Sequence, residues 1–239
     1  METILTINGL EKHFLNCKAL QGVDMSIPSG QIAGLLGPNA SGKTTLLKTI
    51  AGLLQPTAGQ IQYYNDAPQG PESRKTIAFC PDVMKFPNWM RISDAFIFYK
   101  DMYDDYSQDR ADELMRNLEL YEIQNTYVNK LSKGMKERLV LALTFSRQTK
   151  LYLLDEPLDG IDPVGKMRVI DVIIAMQPQG ASTLVSTHLV KDIERIFDSV
   201  FFISKGKIVY SGVCETIREE KGQTVEQAYL EVFNNEKSI

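Results

Sequence analysis

The sequence contains no apolar run that is long enough to cross a membrane. A transmembrane helix needs about 18 or more consecutive apolar residues, whereas the best apolar runs, at residues 139–145 and 169–176, are less than half that length. The first four residues include neither a basic region nor an apolar core, so no signal peptide is predicted. These absences predict a soluble chain that stays in the cytoplasm.

Cysteine is scarce and the net charge is small. The three cysteines, Cys17, Cys80 and Cys214, are far apart and form no C-x-x-C pair, which argues against both a disulfide framework and a zinc knuckle. The formal net charge is only −4, from 26 Lys and Arg against 30 Asp and Glu. A nucleic-acid-binding domain shows a marked basic excess, so no nucleic-acid partner is expected.

Strand and helix patterns alternate along most of the chain. Strands are predicted at residues 3–8, 23–27, 31–36, 59–64, 151–154, 183–186, 200–203 and 207–210, with a turn at Asn65 and Asp66. The third of these strands leads into a glycine-rich loop and a helix-like stretch from Lys43 to Leu53. Residues 82–147 follow helical spacing, with Ser107 as a predicted N-cap. Strands interleaved with helices predict an α/β fold around a mainly parallel sheet.

The glycine-rich loop fits the P-loop pattern G-x-x-x-x-G-K-[ST] in full. Its glycines let backbone N–H groups turn towards a phosphate, Lys43 reaches the β and γ oxygens, and the Thr44 hydroxyl is an Mg²⁺ ligand. The helix that follows adds its positive end to the anion site. The predicted nucleotide-binding residues are Gly37, Pro38, Asn39, Ala40, Ser41, Gly42, Lys43, Thr44 and Thr45.

Two acidic residues and a histidine follow apolar strands. Asp155 directly follows the apolar segment 151–154 and is predicted to bind Mg²⁺ together with Thr44. The adjacent Glu156 is predicted to polarise the attacking water. Without the P-loop, the acidic pair would be interpreted as a solvated strand end. His188 follows another apolar strand, at the edge where parallel strands bind ligands; the alternative is a structural histidine.

These motifs resemble those of the nucleotide-binding subunits of ABC transporters over nearly the whole chain. The segments that carry the resemblance are residues 37–44, Leu131-Ser132-Lys133-Gly134-Met135, Leu151–Asp155 with Glu156, Leu158-Asp159-Gly160-Ile161-Asp162, and His188. The resemblance implies one ABC ATP-binding domain of the P-loop NTPase class. A RecA-like core with an N-terminal antiparallel β subdomain would comprise residues 1–81 and 148–210, an inserted helical subdomain residues 82–147, and a short, helical C-terminal tail residues 211–239.

The resemblance also implies a role for each motif. It makes Glu156, His188 and Lys43 the catalytic residues and Thr44, Asp82 and Asp155 the metal ligands. It assigns the signature Leu131, Ser132, Lys133, Gly134 and Met135 to the ATP of a partner subunit, and Asp159 and Asp162 to the D-loop. Phe14 becomes the aromatic on which adenine stacks, although a core aromatic at a strand edge is the alternative.

The sequence departs from the family pattern at several positions. Lys133 and Ala40 replace residues that are usually glycine, and Met135 replaces a glutamine; a lysine next to a phosphate is electrostatically acceptable, and alanine is small enough for the loop. Asp82 occupies the position of the Q-loop glutamine, and we expect it to contact the metal or its water. Phe86, Trp89 and Met90 follow, either at the rim of a groove for a membrane subunit or buried among helices.

The predicted function is that of an ATP-hydrolysing motor subunit, with ATP and Mg²⁺, in an ABC transporter. Its membrane-spanning permease would be a separate chain. The subunit would pair with another copy of itself or with a different ABC ATPase. It would be peripheral on the inner face of the cell membrane. Only 29 residues follow Tyr210, which, with the signature variant, favours export over import. The alternative is a soluble ABC-type ATPase acting on nucleic acid or ribosomes.

Overall fold

The strands of the computed structural model, which describes residues 2–64 and 67–236, form two sheets. They are β1 (Thr3–Phe14), β2 (Cys17–Pro28), β3 (Ile32–Leu36), β4 (Ala58–Tyr63), β5 (Ala67–Pro68), β6 (Ile77–Cys80), β7 (Leu151–Asp155), β8 (Ser182–Thr187), β9 (Ser199–Ser204) and β10 (Lys207–Val213). The turn predicted at Asn65 and Asp66 lies outside the described residues. One sheet is antiparallel, in the order β2-β1-β4-β5.

The second sheet has the order β10-β9-β3-β8-β7-β6. Its strands are parallel except for β10, which pairs antiparallel at the edge. Every residue of β3, β7 and β8 is buried, as expected for central strands that are covered on both faces. The predicted α/β fold around a mainly parallel sheet is therefore confirmed.

Nine α-helices connect or cover the strands of the described residues. They are α1 (Lys43–Ile50), α2 (Pro71–Lys75), α3 (Ile92–Met102), α4 (Gln108–Asn117), α5 (Lys133–Phe145), α6 (Pro163–Met176), α7 (Val190–Ile193), α8 (Cys214–Lys221) and α9 (Val225–Glu236). No helix within these described ranges is long and apolar enough to span a membrane. Ser107 caps α4 as predicted, since its side chain accepts the N–H of Arg110.

Four predicted element boundaries are wrong by three residues or more. The second strand begins at Cys17 rather than Val23. The first strand continues to Phe14. The prediction ends it at residue 8 because Gly9, with a φ of 55°, forms an irregularity that interrupts the alternation of side chains. The first helix ends at Ile50 rather than Leu53, because Gly52, with a φ of 71°, reverses the chain and the N–H of Leu53 donates to the carbonyl of Lys48. The last strand continues to Val213, so the tail becomes helical only there.

The parallel sheet separates two hydrophobic cores. Ala33 and Leu35 of β3 face the core that lies between the sheets and contains α1, whereas Ile32 and Leu36 face the core built with the helices. This alternation follows the two-residue period of a strand. The sheet thus holds the carboxyl end of β3, where the P-loop begins, between two packed layers.

Arg147 connects the helical segment to the parallel sheet. Its guanidinium makes two bonds to the carboxylate of Asp105, at 2.8 and 2.9 Å, and donates to the carbonyls of Ile77 and Lys75. It also lies 4.0 Å from the ring centre of Tyr103. A buried bidentate pair of this kind fixes orientation as well as position, so α3–α5 are held at a defined angle to β6. The division of the chain into subdomains at residues 82 and 147 stays a prediction.

Candidate functional site: the nucleotide cleft

The predicted P-loop connects β3 to α1 and leaves no room for side chains at two of its glycines. A Cβ built on Gly37 would lie 2.3 Å from the carbonyl oxygen of Ile203, and one on Gly42 would lie 2.8 Å from that of Ala19. Gly42 also has a φ of 111°, a conformation that only glycine adopts readily. The loop is therefore fixed between β9 and the end of the β1–β2 hairpin.

Lys43 lies in the floor of a cleft above this loop. Its Nζ donates to the carbonyls of Gly37 and Pro38, at 2.8 and 3.1 Å, and lies 3.2 Å from Oε1 of Glu156. The lysine side chain is only 6% exposed. The cation is thus held within reach of an anion that enters the cleft.

Asp155 is buried at the end of β7 and accepts two hydroxyl hydrogen bonds. Its Oδ1 lies 3.1 Å from Oγ1 of Thr44 and 2.7 Å from Oγ of Ser186. Burial raises the pKa of Asp155, and the two hydrogen bonds oppose that rise. The sequence did not reveal Ser186 because only the pairing of β7 with β8 places it opposite Asp155.

Glu156 lies between Lys43 and His188. Its Oε2 lies 3.0 Å from Nδ1 of His188 and accepts the N–H of the same residue at 3.2 Å. The backbone of Glu156 has a φ of 50°, a left-handed conformation that costs a non-glycine residue about 1–2 kcal/mol. The structure therefore brings together the three side chains that were predicted to be catalytic.

The cleft has a volume of about 850 Å³, within the range of sites that bind small ligands. Predicted residues that line it are Phe14, Asn39, Ala40, Ser41, Gly42, Lys43, Thr44, Thr45, Asp82, Glu156, Asp159 and His188. Residues missed by the sequence analysis are Cys17, Lys18, Ala19, Gln21, Lys205 and Gly206. They lie in β2 and in the turn between β9 and β10, where no sequence motif marks them.

Phe14 ends β1 at the wall of the cleft. Its side chain is 46% exposed, and Nζ of Lys12 lies 5.2 Å from the ring centre. An exposed ring is unlike a core aromatic and is free to stack on a planar ligand. Asp82 lines the same cleft and is exposed; its contact with a metal stays a prediction.

Other predicted residues lie outside the cleft. Gly37 and Pro38 do not line it and contribute through their carbonyls to Lys43. The five signature residues do not line it either, and Ser132 caps α5 by accepting the N–H of Met135. Asp162 caps α6, and the hydrogen bonds that it accepts from Gly165 and Val164 lower its pKa.

The donor atoms of the cleft fit a nucleotide with Mg²⁺. The Thr44 hydroxyl and the Asp155 carboxylate are oxygen donors, which Mg²⁺ prefers. No set of three or more His, Cys, Asp or Glu suited to a metal ion lies within residues 2–64 and 67–236, and Mg²⁺ usually completes its shell with water and phosphate oxygens. Oγ of Ser41, buried in the P-loop without a hydrogen-bond partner, is a donor that a phosphate oxygen would satisfy.

The fold and the cleft define a P-loop nucleoside triphosphatase. Residues 20–159 match the family described as ABC transporter. The chain is 32% identical to the uncharacterized ABC transporter ATP-binding protein YdbJ of Bacillus subtilis (strain 168), over 100% of this chain and 77% of that protein. The chain belongs to the ABC transporter family: it is an ATP-binding subunit and an ATPase.

Two further similarities extend over almost the full chain. The chain is 27% identical to the lipopolysaccharide export system ATP-binding protein LptB of Escherichia coli (strain K12), over 95% of this chain and 96% of that protein. A solved structure of the ATP binding subunit of an ABC transporter superimposes with a TM-score of 0.85 at 25% identity, covering 96% of this chain and 99% of the other.

Proposed function

We propose that this ATPase drives export through a membrane-spanning permease on a separate chain. Two such subunits, identical or paired with a different ABC ATPase, would bind ATP between them at the inner face of the cell membrane. The observation that carries the proposal is the separation of the site into two parts: Lys43, Glu156 and His188 line the cleft, whereas signature residues 131–135 do not. The name of the similar lipopolysaccharide export protein supports the direction of transport.

The geometry supports general-base hydrolysis by Glu156. The carboxylate orients a water towards the γ-phosphorus and accepts its proton as the new P–O bond forms. The bond between the γ-phosphorus and the oxygen that bridges it to the β-phosphorus breaks, and ADP leaves with that oxygen. His188 holds Oε2 and Lys43 holds Oε1, so the carboxylate has a fixed direction. Lys43, and the start of α5 in the partner subunit, stabilise the charge that develops on the phosphoryl oxygens.

Thr44 and Asp155 would hold the Mg²⁺. The ion, when bound, would supply positive charge at the phosphate oxygens. Ser186 keeps the Asp155 carboxylate directed towards Thr44 through its hydrogen bond of 2.7 Å. The Thr44 hydroxyl and the Asp155 carboxylate thus lie close together next to the P-loop.

A groove between the parallel sheet and the helical segment is the proposed contact with the permease. It has a volume of about 500 Å³, and its apolar lining includes Leu53, Phe79, Met84 and Tyr99. Leu53 is 62% exposed and, together with the other apolar residues of the lining, gives the groove an accessible apolar surface. ATP would close the two subunits and hydrolysis would reopen them, and this groove would transmit the alternation.

The residues proposed from the sequence for the groove rim are only partly suited to it. Trp89 is 66% exposed, whereas Met90 is 7% exposed and Phe86 packs against the core. The Met90 side chain is buried because it packs in the core built with the helices. The groove therefore lies nearer to Leu53 and Met84 than to Met90.

Replacing Glu156 by glutamine tests the proposed function. Glu156→Gln keeps the size of the side chain and removes the base, so we expect kcat for ATP hydrolysis to fall by about 10² or more while ATP still binds. The variant should then accumulate as an ATP-bound dimer in size-exclusion chromatography. Glu122→Gln, at an exposed residue of the helical segment, is the matched control and should hydrolyse ATP like the unchanged protein.

The proteins that co-purify with the same variant distinguish a transporter subunit from a soluble ABC-type ATPase that acts on nucleic acid or ribosomes. Glu156→Gln protein recovered from detergent-solubilised cells should carry a multi-span membrane protein with it. Recovery of ribosomes or DNA instead would overturn the transport proposal in favour of the soluble ABC-type ATPase. Near-normal turnover by Glu156→Gln would sink the catalytic assignment.

A further inference from the structure

Lys133 joins the start of α5 to the loop that follows β7. Its Nζ lies 2.5 Å from Oδ2 of Asp159 and 3.6 Å from Oε1 of Glu137. Its aliphatic part covers Gly160, where an added Cβ would lie 2.8 Å from Cδ of the lysine. Gly160 also has a φ of 70°. The side chain therefore makes both a charged contact and a packing contact with this loop.

The loop that receives Lys133 also carries the proposed base. The N–H of Asp159 donates to the carbonyl of Glu156 at 3.1 Å, so residues 156–159 form one tight turn. Asp159 itself lines the nucleotide cleft. Asp159 is thus tied to Glu156 both along the chain and by this backbone hydrogen bond.

Both partners of the ion pair are charged at neutral pH. The hydrogen bond from Lys133 is the largest cause that holds the pKa of Asp159 below its ordinary value. The same hydrogen bond is the largest cause that raises the pKa of Lys133. Lys133 also contacts a second carboxylate, that of Glu137, so its removal would leave both carboxylates without this cation.

We propose that Lys133 is a positioning residue that couples the two ATP sites of the dimer. This inference rests on the proposed function, in which α5 begins at the ATP of the partner subunit and Glu156 acts on the ATP of its own. The path runs from the start of α5 through Lys133 and Asp159 to the turn of Glu156. ATP bound against the signature of one subunit thereby biases the position of the base in that subunit's own cleft.

ATPase rates measured over a range of ATP concentrations test the coupling. The variants are Lys133→Met, Asp159→Asn, their combination and Lys133→Arg. We expect the unchanged protein to show a Hill coefficient above 1, with about 2 as the limit for two sites. Lys133→Met and Asp159→Asn should lower it towards about 1, and the double variant should lower it no further, since both changes break one contact.

Two controls separate coupling from a loss of folding or of charge. Lys133→Arg retains the ion pair and should keep the Hill coefficient. If another property of lysine were required, this variant would lower the coefficient. Lys136→Met removes the same charge from the same turn of α5 and should behave like the unchanged protein. Circular dichroism checks that each variant is folded, and Asp159→Asn carries the test if Lys133→Met is not.

The inference and the proposed function fail in different ways. An unchanged Hill coefficient in Lys133→Met and Asp159→Asn, or a coefficient of 1 in the unchanged protein, overturns the coupling and leaves the motor function intact. Additive effects of the two changes also overturn it, because they would act through separate contacts. A protein in which Glu156→Gln leaves turnover intact overturns the motor mechanism instead.

Discussion

At the scale of single residues, backbone strain is concentrated around the nucleotide cleft. Four non-glycine residues of the described chain have a positive φ, and three of them, Ala40, Glu156 and Lys205, line the cleft. Each left-handed residue with a Cβ costs about 1–2 kcal/mol, a cost that proteins retain mainly where it serves function. For Glu156 the strained backbone presents the carboxylate to both Lys43 and His188.

Ala40 offers a test of this strain. Its φ of 61° suits glycine better than alanine, so Ala40→Gly should raise the free energy of unfolding by about 1 kcal/mol. Denaturant unfolding measures this difference. Ala175→Gly, at an exposed position in α6, is the control and should lower the stability by about 0.5–1 kcal/mol. A loss of stability in Ala40→Gly would show that the loop does not strain alanine.

The sequence predicted side chains that the structure brings together at the cleft, but not those that support them. Lys43, Asp155, Glu156 and His188 could be predicted because their residue types follow directly from phosphate and water chemistry. Ser186 could not, because any hydroxyl in a buried strand fits the same pattern. Its contact with Asp155 depends on the register between β7 and β8.

At the scale of secondary structure elements, polar residues at helix starts were the most reliable signals. Ser107, predicted as an N-cap, accepts a backbone N–H in the first turn of α4. Ser132 and Asp162, which were not predicted as caps, do the same for α5 and α6. Such contacts are local, so a sequence pattern is enough to indicate them. The continuation of β1 past Gly9 was not predictable, because it depends on the pairing of β1 with both β2 and β4.

Within α5, Glu137 gives the stability a dependence on pH. Its carboxylate oxygens are buried without a hydrogen-bond partner, and burial raises its pKa from 4.5 to about 7. Because the folded-state pKa is the higher one, the protonated carboxyl stabilises the fold below about pH 4.5. That stabilisation is lost as the pH rises through about 7.

Glu137→Gln should remove this dependence. Glutamine stays neutral, so the variant should gain about 1–2 kcal/mol over the unchanged protein between pH 4 and pH 8, less than the full shift implies because solvent screens part of it. Denaturant unfolding at several pH values measures the gain. Glu122→Gln, which is exposed, should follow the curve of the unchanged protein; the same curve for Glu137→Gln would contradict the assignment.

At the scale of the whole molecule, signature residues 131–135 lie outside the lining of the nucleotide cleft. The cleft is built by β1, β2, the P-loop and the ends of β7 and β8, while the signature starts a helix that belongs to the helical segment. The sequence could place both motifs in order. It could not show that they lie apart, because that depends on how Arg147 holds the helical segment against β6.

The apolar groove leads to a prediction about the complete transporter. Leu53 is 62% exposed in this groove, and burying a leucine contributes about 1.5–3 kcal/mol. Leu53→Glu should therefore weaken binding to membranes that contain the permease by about tenfold or more, while the rate of ATP hydrolysis by the isolated protein is unchanged. Sedimentation with those membranes measures binding. Leu230→Glu, at a 50% exposed leucine of α9 outside the groove, should bind normally; equal binding by both variants would place the permease contact elsewhere.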